Sequence, residues 1–274
     1  MAHALFYRPV NPDAVAPDGE LPPLVVRSHG GPTSSASNAL ELNFQYLTTR
    51  GIAVVDVDYG GSTGYGREYR QALEGEWGVV DVDDCIGAAR YLVDRGDVDG
   101  DRLAIEGGSA GGYTTLAALA FRDVFAAGIS LFGVADLEML VTDTHKFESR
   151  YMDRLVGPYP AMADRYRDRS PIHFLDRISV PVLILQGLDD KVVPPAQAEA
   201  LAKALDEQGI PNAYLSFEGE GHGFRGETAQ RRTLEARLSF LGAVFGFTPA
   251  DDLPPLDVRG IEQWQRPTRV ATGS

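Results

Sequence analysis

Ser109 lies in Gly107-Gly108-Ser109-Ala110-Gly111-Gly112, where a hydroxyl is flanked on both sides by residues with little or no side chain. A serine on so tight a turn takes strained backbone angles, and neighbours lacking a Cβ let the chain close while Oγ stays exposed. The chemistry that suits such a hydroxyl is acyl transfer, but serine at its own pKa is a poor nucleophile and needs a base. His222, in the glycine-flanked segment Glu218 to Phe224, is the candidate base. The base in turn needs an acid to hold its Nδ1 proton and stabilise the imidazolium formed during attack. Gly187-Leu188-Asp189-Asp190-Lys191-Val192-Val193-Pro194 offers two, and Asp190 is preferred over Asp189 because it completes a G-x-x-D-x-x-V-P arrangement.

Acyl transfer also requires N–H groups for the oxygen that becomes negative. Ala110, directly after the serine, supplies one by position. A second source is the glycine-rich Ser28-His29-Gly30-Gly31-Pro32, in which Gly31 is the candidate donor and His29 reads as a structural residue beneath the loop. Tyr65, in Tyr59 to Gly66, offers a phenolic O–H as an alternative. His3, His145 and His173 are scattered without HxxxH or HExxH spacing, so no metal site is expected. The Gly60 to Gly66 run has neither a Walker lysine nor a full dinucleotide fingerprint, and no cofactor is expected.

These residues must be carried by elements that bring distant loops together. Apolar runs at Leu24 to Ser28, Ile52 to Val57, Leu103 to Glu106, Ala127 to Leu131, Val182 to Gln186 and Ala213 to Phe217 read as strands. Most lack polar alternation, as strands buried on both faces do. Helical patterns separate them at Ala39 to Thr49, Asp83 to Asp94, Tyr113 to Phe121, Ala196 to Gln208 and Ala229 to Phe245. The fold class is therefore α/β, a mostly parallel central sheet with helices on both faces. A serine between a strand and a helix, followed in the chain by an acid and then a histidine, fits the α/β-hydrolase fold. Residues 136–171 break the rhythm with an aromatic and charged mix that reads as helices inserted above the strand ends.

Composition narrows the partners. With 39 acidic against 25 basic side chains, the net charge of −14 opposes nucleic acid and anionic lipid surfaces. No stretch approaches the roughly 18 uninterrupted apolar residues of a membrane span. Cys85 is the sole cysteine, so no internal disulfide is expected, and the start from Met1 to Pro9 lacks a secretory layout. The cytoplasm is the default location.

Five segments taken together resemble the catalytic domain of the prolyl oligopeptidase family, with the dipeptidyl-peptidase and acylaminoacyl-peptidase branches nearest. They are Ser28 to Thr33, Gly60 to Gly66, Gly107 to Tyr113, Phe147 to Tyr151 and Gly221 to Phe224, in the family's order. The resemblance implies a Ser109–Asp190–His222 triad, an oxyanion hole of Ala110 with either Gly31 or Tyr65, and a pocket before the scissile bond bordered by Tyr113, Phe132 and Val134. Lys191 stands near the place of a family arginine that holds a substrate carbonyl, with the spacing off by one residue. The implied activity is cleavage of peptide or acyl-peptide bonds through a Ser109 acyl-enzyme; the alternatives are a carboxylesterase of the same fold and a non-catalytic binding fragment. Family members usually carry a β-propeller ahead of the hydrolase, whereas here the hydrolase begins almost at Met1. The expectation is thus a single hydrolase domain over 1–274 without a propeller, acting on a peptide or acyl-peptide substrate, with a separate propeller and a homo-oligomeric copy as candidate partners.

Overall fold

The structure, a computed structural model, describes residues 1–142 and 151–265. Strands β1 (His3–Tyr7), β2 (Leu24–Ser28), β3 (Ala53–Asp58), β4 (Leu103–Gly108), β5 (Ala127–Leu131), β6 (Val182–Gly187) and β7 (Asn212–Phe217) form one sheet. Its order is β1-β3-β2-β4-β5-β6-β7, and β1 is antiparallel to β3 while the other pairings are parallel. The first strand was not among the expected ones. It is a five-residue edge strand with no buried residue, so it leaves no apolar run to read.

Helices α1 (Leu42–Thr48), α2 (Gly66–Gln71), α3 (Val80–Asp94), α4 (Ala110–Phe121), α5 (Leu137–Thr142), α6 (Tyr151–Leu155), α7 (Ala163–Asp168), α8 (Pro195–Glu207) and α9 (Glu227–Phe245) surround the sheet. Side chains alternate across each strand, so a strand buried on both faces feeds two cores. Leu24 and Val26 of β2 join the core built with Val82, Ile86, Leu116 and Leu201 from α3, α4 and α8. Val25 joins the opposite core with Leu47 of α1 and Phe240 and Leu241 of α9. The arrangement is the α/β-hydrolase fold.

Two features of this topology position the site. From β2 the chain steps to β3 on one side, and from β4 onward it steps the other way, so the order reverses between β2 and β4. The loops leaving the carboxyl ends of those two strands therefore open a crevice between them, the place where α/β sheets receive ligands. The helices α5 to α7 follow β5, as the 136–171 insertion suggested, and their Leu137, Met152, Leu155 and Tyr166 pack into the α3 and α4 core. Among the described residues, no helix is long and apolar enough to cross a membrane.

Candidate active site

Ser109 ends the turn between β4 and α4 with φ 57° and ψ −120°, a region that side-chain-bearing residues rarely adopt. Two backbone bonds hold it: Ser109 N–H donates to the Leu131 carbonyl and Tyr113 N–H donates to the Ser109 carbonyl, both at 3.0 Å. The glycine requirement at this turn is one of close approach. A Cβ on Gly111 would collide with the Ser28 carbonyl oxygen, because α4 crosses directly over the end of β2. Ser28 Oγ closes that contact by donating to the Gly111 carbonyl at 2.8 Å.

His222 and Asp190 arrive from the two loops beyond β7 and β6. His222 Nε2 lies 2.8 Å from Ser109 Oγ, and its Nδ1 lies 2.8 Å from Asp190 Oδ2. An ionised carboxylate can only accept, so Asp190 keeps the proton on Nδ1 and leaves the Nε2 lone pair for the serine hydroxyl. Asp190 is buried, which by itself raises its pKa. Hydrogen bonds from His222, Val193 N–H and Val192 N–H, with the charge of His222, outweigh burial and hold the carboxyl below the usual range. Gln186 Nε2 adds a further donor to Oδ2 at 3.3 Å. The histidine loop is closed by Glu220, whose carboxylate accepts from Arg225 N–H at 2.7 Å and Gly226 N–H at 2.8 Å. It is tied to the acid loop by Asp189 N–H, which donates to the Glu220 carbonyl at 2.8 Å. Asp189 thus contributes its backbone, and its side chain is exposed.

The loop after β2 is held from beneath. Burial lowers the pKa of His29 and keeps its ring neutral, although its bond to Gly30 works the other way. The Gly30 carbonyl, 2.8 Å from Nδ1, can only accept, so Nδ1 carries the proton, and Ser62 Oγ stands 2.6 Å from Nε2 and 2.7 Å from the Tyr59 carbonyl with one proton for the two. The single Tyr59 O–H proton is shared between the His29 and Pro32 carbonyl oxygens, each 2.9 Å away. Across the planar Gly30–Gly31 peptide, the Gly31 N–H is antiparallel to the carbonyl that His29 holds, so it points away from the ring. Gly31 has φ +119°, which its lack of a side chain permits. Gly30, Gly31 and Ala110 line a cavity of about 510 Å³ that contains Ser109 and His222. As the first residue of α4, Ala110 has no carbonyl within the helix for its N–H.

Three expectations need correction. Tyr65 does not line this cavity; its hydroxyl donates to Asp58 Oδ2 at 2.7 Å and its ring stacks on His3 at 4.0 Å, so its donor is already committed. Tyr113 is fully buried behind Trp77, ring centroids 4.6 Å apart, and its O–H donates to the Arg169 carbonyl at 2.9 Å. The cavity wall there is Trp77 instead. Lys191 is exposed and stands outside the cavity, which its neighbours Val192 and Val193 line. Phe132 and Val134 do line it, and Phe132 packs edge-on against the His222 ring at 4.9 Å. Residues 147–150 of the Phe147 to Tyr151 motif, like His145, lie outside the described residues. Tyr151 itself lines the cavity, with its hydroxyl 2.9 Å from Thr33 Oγ1.

Sequence reading missed Arg27, Trp77 and Met152 as lining residues, and no local signal marks them. Asp136, Glu138 and His173 bring oxygen and nitrogen atoms within 4.8 Å of one another on the insertion. Asp136 Oδ1 there accepts from Glu138 N–H at 2.8 Å and Met139 N–H at 3.3 Å, as a helix cap does.

Residues 38–248 match the prolyl oligopeptidase family. The chain belongs to that family. Among solved structures, it is similar to a puromycin-hydrolyzing peptidase of Mycobacterium tuberculosis, at 54% identity and a TM-score of 0.91 over 93% of this chain and 39% of that one. A crystal structure titled puromycin hydrolase is similar at 51% identity and TM-score 0.91, over 94% of this chain and 39% of that one. Dipeptidyl aminopeptidase BIII of Pseudoxanthomonas mexicana is 37% identical over 208 residues, 74% of this chain and 30% of the relative. The chain therefore spans well under half the length of these relatives.

Proposed function

We propose that this chain carries the catalytic site of a serine peptidase that hydrolyses aminoacyl, peptide or acyl-peptide amide bonds through a Ser109 acyl-enzyme. The observation that carries the reading is the continuous Asp190–His222–Ser109 relay, 2.8 Å at each step, opening onto the cavity between the β2 and β4 loops. Ser109 Oγ attacks the carbonyl carbon while His222 Nε2 takes its proton. The negative oxygen of the tetrahedral intermediate is received by the N–H groups of Ala110 and Gly31. His222 then gives its proton to the departing nitrogen, and a water molecule repeats the sequence in reverse to free the acid. Asp190 stays ionised throughout, as its depressed pKa requires.

The same reading takes the described chain as one hydrolase domain whose 136–171 insertion helps to form the wall of the site, since Met152 and Tyr151 line the cavity. A β-propeller domain and a second copy of the chain are its candidate partners. A cytoplasmic location is in keeping with a single cysteine, Cys85, that is buried and unpaired.

Labelling with a fluorophosphonate tests the reading. The wild type labels and Ser109→Ala does not; equal labelling of the two would end the enzyme assignment. A panel of aminoacyl and acylaminoacyl anilides, puromycin and short-chain nitrophenyl esters then separates peptidase from carboxylesterase. Turnover of esters with no turnover of any amide would favour the esterase.

A further inference from the structure

The cavity around Ser109 holds a cation for which the acyl-transfer steps have no use. Arg27, the next-to-last residue of β2, lines it with 30% of its side chain exposed. Among the described lining residues it is the only lysine or arginine. On a chain of net charge −14, whose field repels anions at a distance, a carboxylate arriving at this site needs such a local partner.

The position of Arg27 relates it to one half of the substrate. Alternation along β2 puts Arg27 with Val25 on the α1 and α9 face of the sheet. The cavity walls divide by the same faces. Trp77, Val134, Met152 and Val193 belong to the core on the α3 and α4 face, and Phe132 packs against the core on the other. His222 stands against Phe132 and must deliver its proton to the departing nitrogen, so the leaving half exits along the Phe132 wall. Arg27 lies on that same face of the sheet, on β2, across β4 from the Phe132 loop, while the Trp77 and Val134 side of the cavity is apolar.

Arg27 lies between two buried carboxylates, with Asp56 of β3 and Glu106 of β4 as register neighbours, and among the described residues its guanidinium makes one hydrogen bond, to Glu106. Its register neighbour Glu106 is fully buried and already gripped by Arg237, through Nε at 2.9 Å and Nη2 at 2.5 Å. Arg27 reaches the same carboxylate with Nη1 alone, at 3.2 Å. A guanidinium has five N–H donors in a fixed fork that matches a carboxylate. Glu106 thus takes one N–H of the Arg27 fork, and the residue lines the cavity with N–H groups left to donate.

We infer that Arg27 forms a carboxylate-binding subsite for the leaving half of the substrate, which favours substrates ending in a free α-carboxylate shortly after the scissile bond or bearing an acidic side chain there. This rests on Ser109 being the nucleophile. The test uses the full chain and one acyl residue chosen from the anilide panel. The substrates have leaving groups of one or two glycines, each as free acid and as C-terminal amide, together with an amidated aspartate leaving group.

The wild type is expected to show kcat/KM on the order of tenfold higher for the free acid than for the amide at the favoured length, the size of one charge-assisted contact. Arg27→Gln is expected to bring that ratio to about one, and Arg27→Lys to restore part of it. A gain for the amidated aspartate substrate over its glycine counterpart would assign the side chain as the source of the carboxylate; a gain for free acids alone would assign the chain terminus. A wild type indifferent to the carboxylate in every pair overturns the inference, as does a preference that survives in Arg27→Gln. Fluorophosphonate labelling accompanies each measurement. Labelling without a carboxylate preference defeats the subsite alone, whereas failure of the wild type to label defeats the hydrolase reading beneath it.

Discussion

At the scale of single residues, Asp190 and Asp189 stand side by side and differ in what surrounds them. Asp190 faces inward, bonded to His222 and to two backbone N–H groups, whereas Asp189 faces water. Asp190→Asn replaces an acceptor with a group that can present N–H to Nδ1, which favours the tautomer with its proton on Nε2. Amide turnover should then fall by on the order of 10⁴ in kcat, with Asp189→Asn within a few-fold of wild type. Steady-state kinetics on one anilide reads both, and comparable losses in the two variants would show that the acid has been misassigned. Ser109, Asp190 and His222 could be picked out in the sequence because each lies in a short glycine-bounded loop directly after a strand. Tyr65, Tyr113 and Lys191 could not be placed, because neighbourhood in sequence does not give side-chain direction. Tyr113 is four residues after the serine, one helical turn, yet its ring faces the protein interior. Arg27 reaches the cavity from one residue before the Ser28 to Thr33 motif, and Trp77 from a loop that carries no motif.

At the scale of elements, the strands that are buried on both faces were the legible ones. β2 and β5 agree with the sequence reading at both ends, and β3, β4, β6 and β7 differ by a residue or two. The unread elements, β1 and α2, have no buried residue, so hydrophobic periodicity had nothing to register. Buried contact also decides which helix positions tolerate change. Gly111 in α4 is pressed against β2, and a methyl group there must push helix and strand apart. Gly111→Ala should destabilise the protein by roughly 3 kcal/mol, at the upper end of overpacking costs, and slow fluorophosphonate labelling by shifting the Ser109 turn. Gly87 lies exposed in the middle of α3, and a Cβ there meets open space. Gly87→Ala should instead stabilise by about 0.5 to 1 kcal/mol through the lower backbone entropy of alanine in the unfolded chain. Urea titrations check both variants: a stabilised Gly111→Ala would show that the α4–β2 contact is softer than its geometry implies, and a destabilised Gly87→Ala would show that the α3 surface does not accept the methyl group.

At the scale of the whole molecule, buried carboxylates make stability depend on pH, and those with raised and lowered pKa values pull in opposite directions. Asp81 is fully buried where α3 meets α4, accepting from Gly78 N–H at 2.7 Å and from Thr114 Oγ1 at 2.5 Å. Burial raises its pKa to about 6 against 3.8 for the free side chain, and these hydrogen bonds only partly offset that. Between those two values the folded chain keeps a proton on Asp81 that the unfolded chain has lost. The folded state therefore binds more protons, and its stability falls as pH rises through this window, then levels off above about 6. A shift of roughly two pH units corresponds to about 3 kcal/mol. Asp81→Asn keeps an oxygen for Gly78 N–H and cannot ionise, while its amide can donate to Thr114 Oγ1, whose own proton then goes to the Ala110 carbonyl, 3.2 Å away. The difference in unfolding free energy, variant minus wild type, should consequently move in favour of the variant by about 2.4 kcal/mol from pH 4 to pH 7, the remainder of the effect lying below pH 4. Asp190 and Glu106, whose pKa values are lowered, pull the wild type's total stability the other way, but they are common to both proteins and cancel in the difference. Paired urea denaturation curves at the two pH values isolate the Asp81 contribution, and a difference that stays constant would mean that this carboxylate is ionised in the folded protein across the whole range.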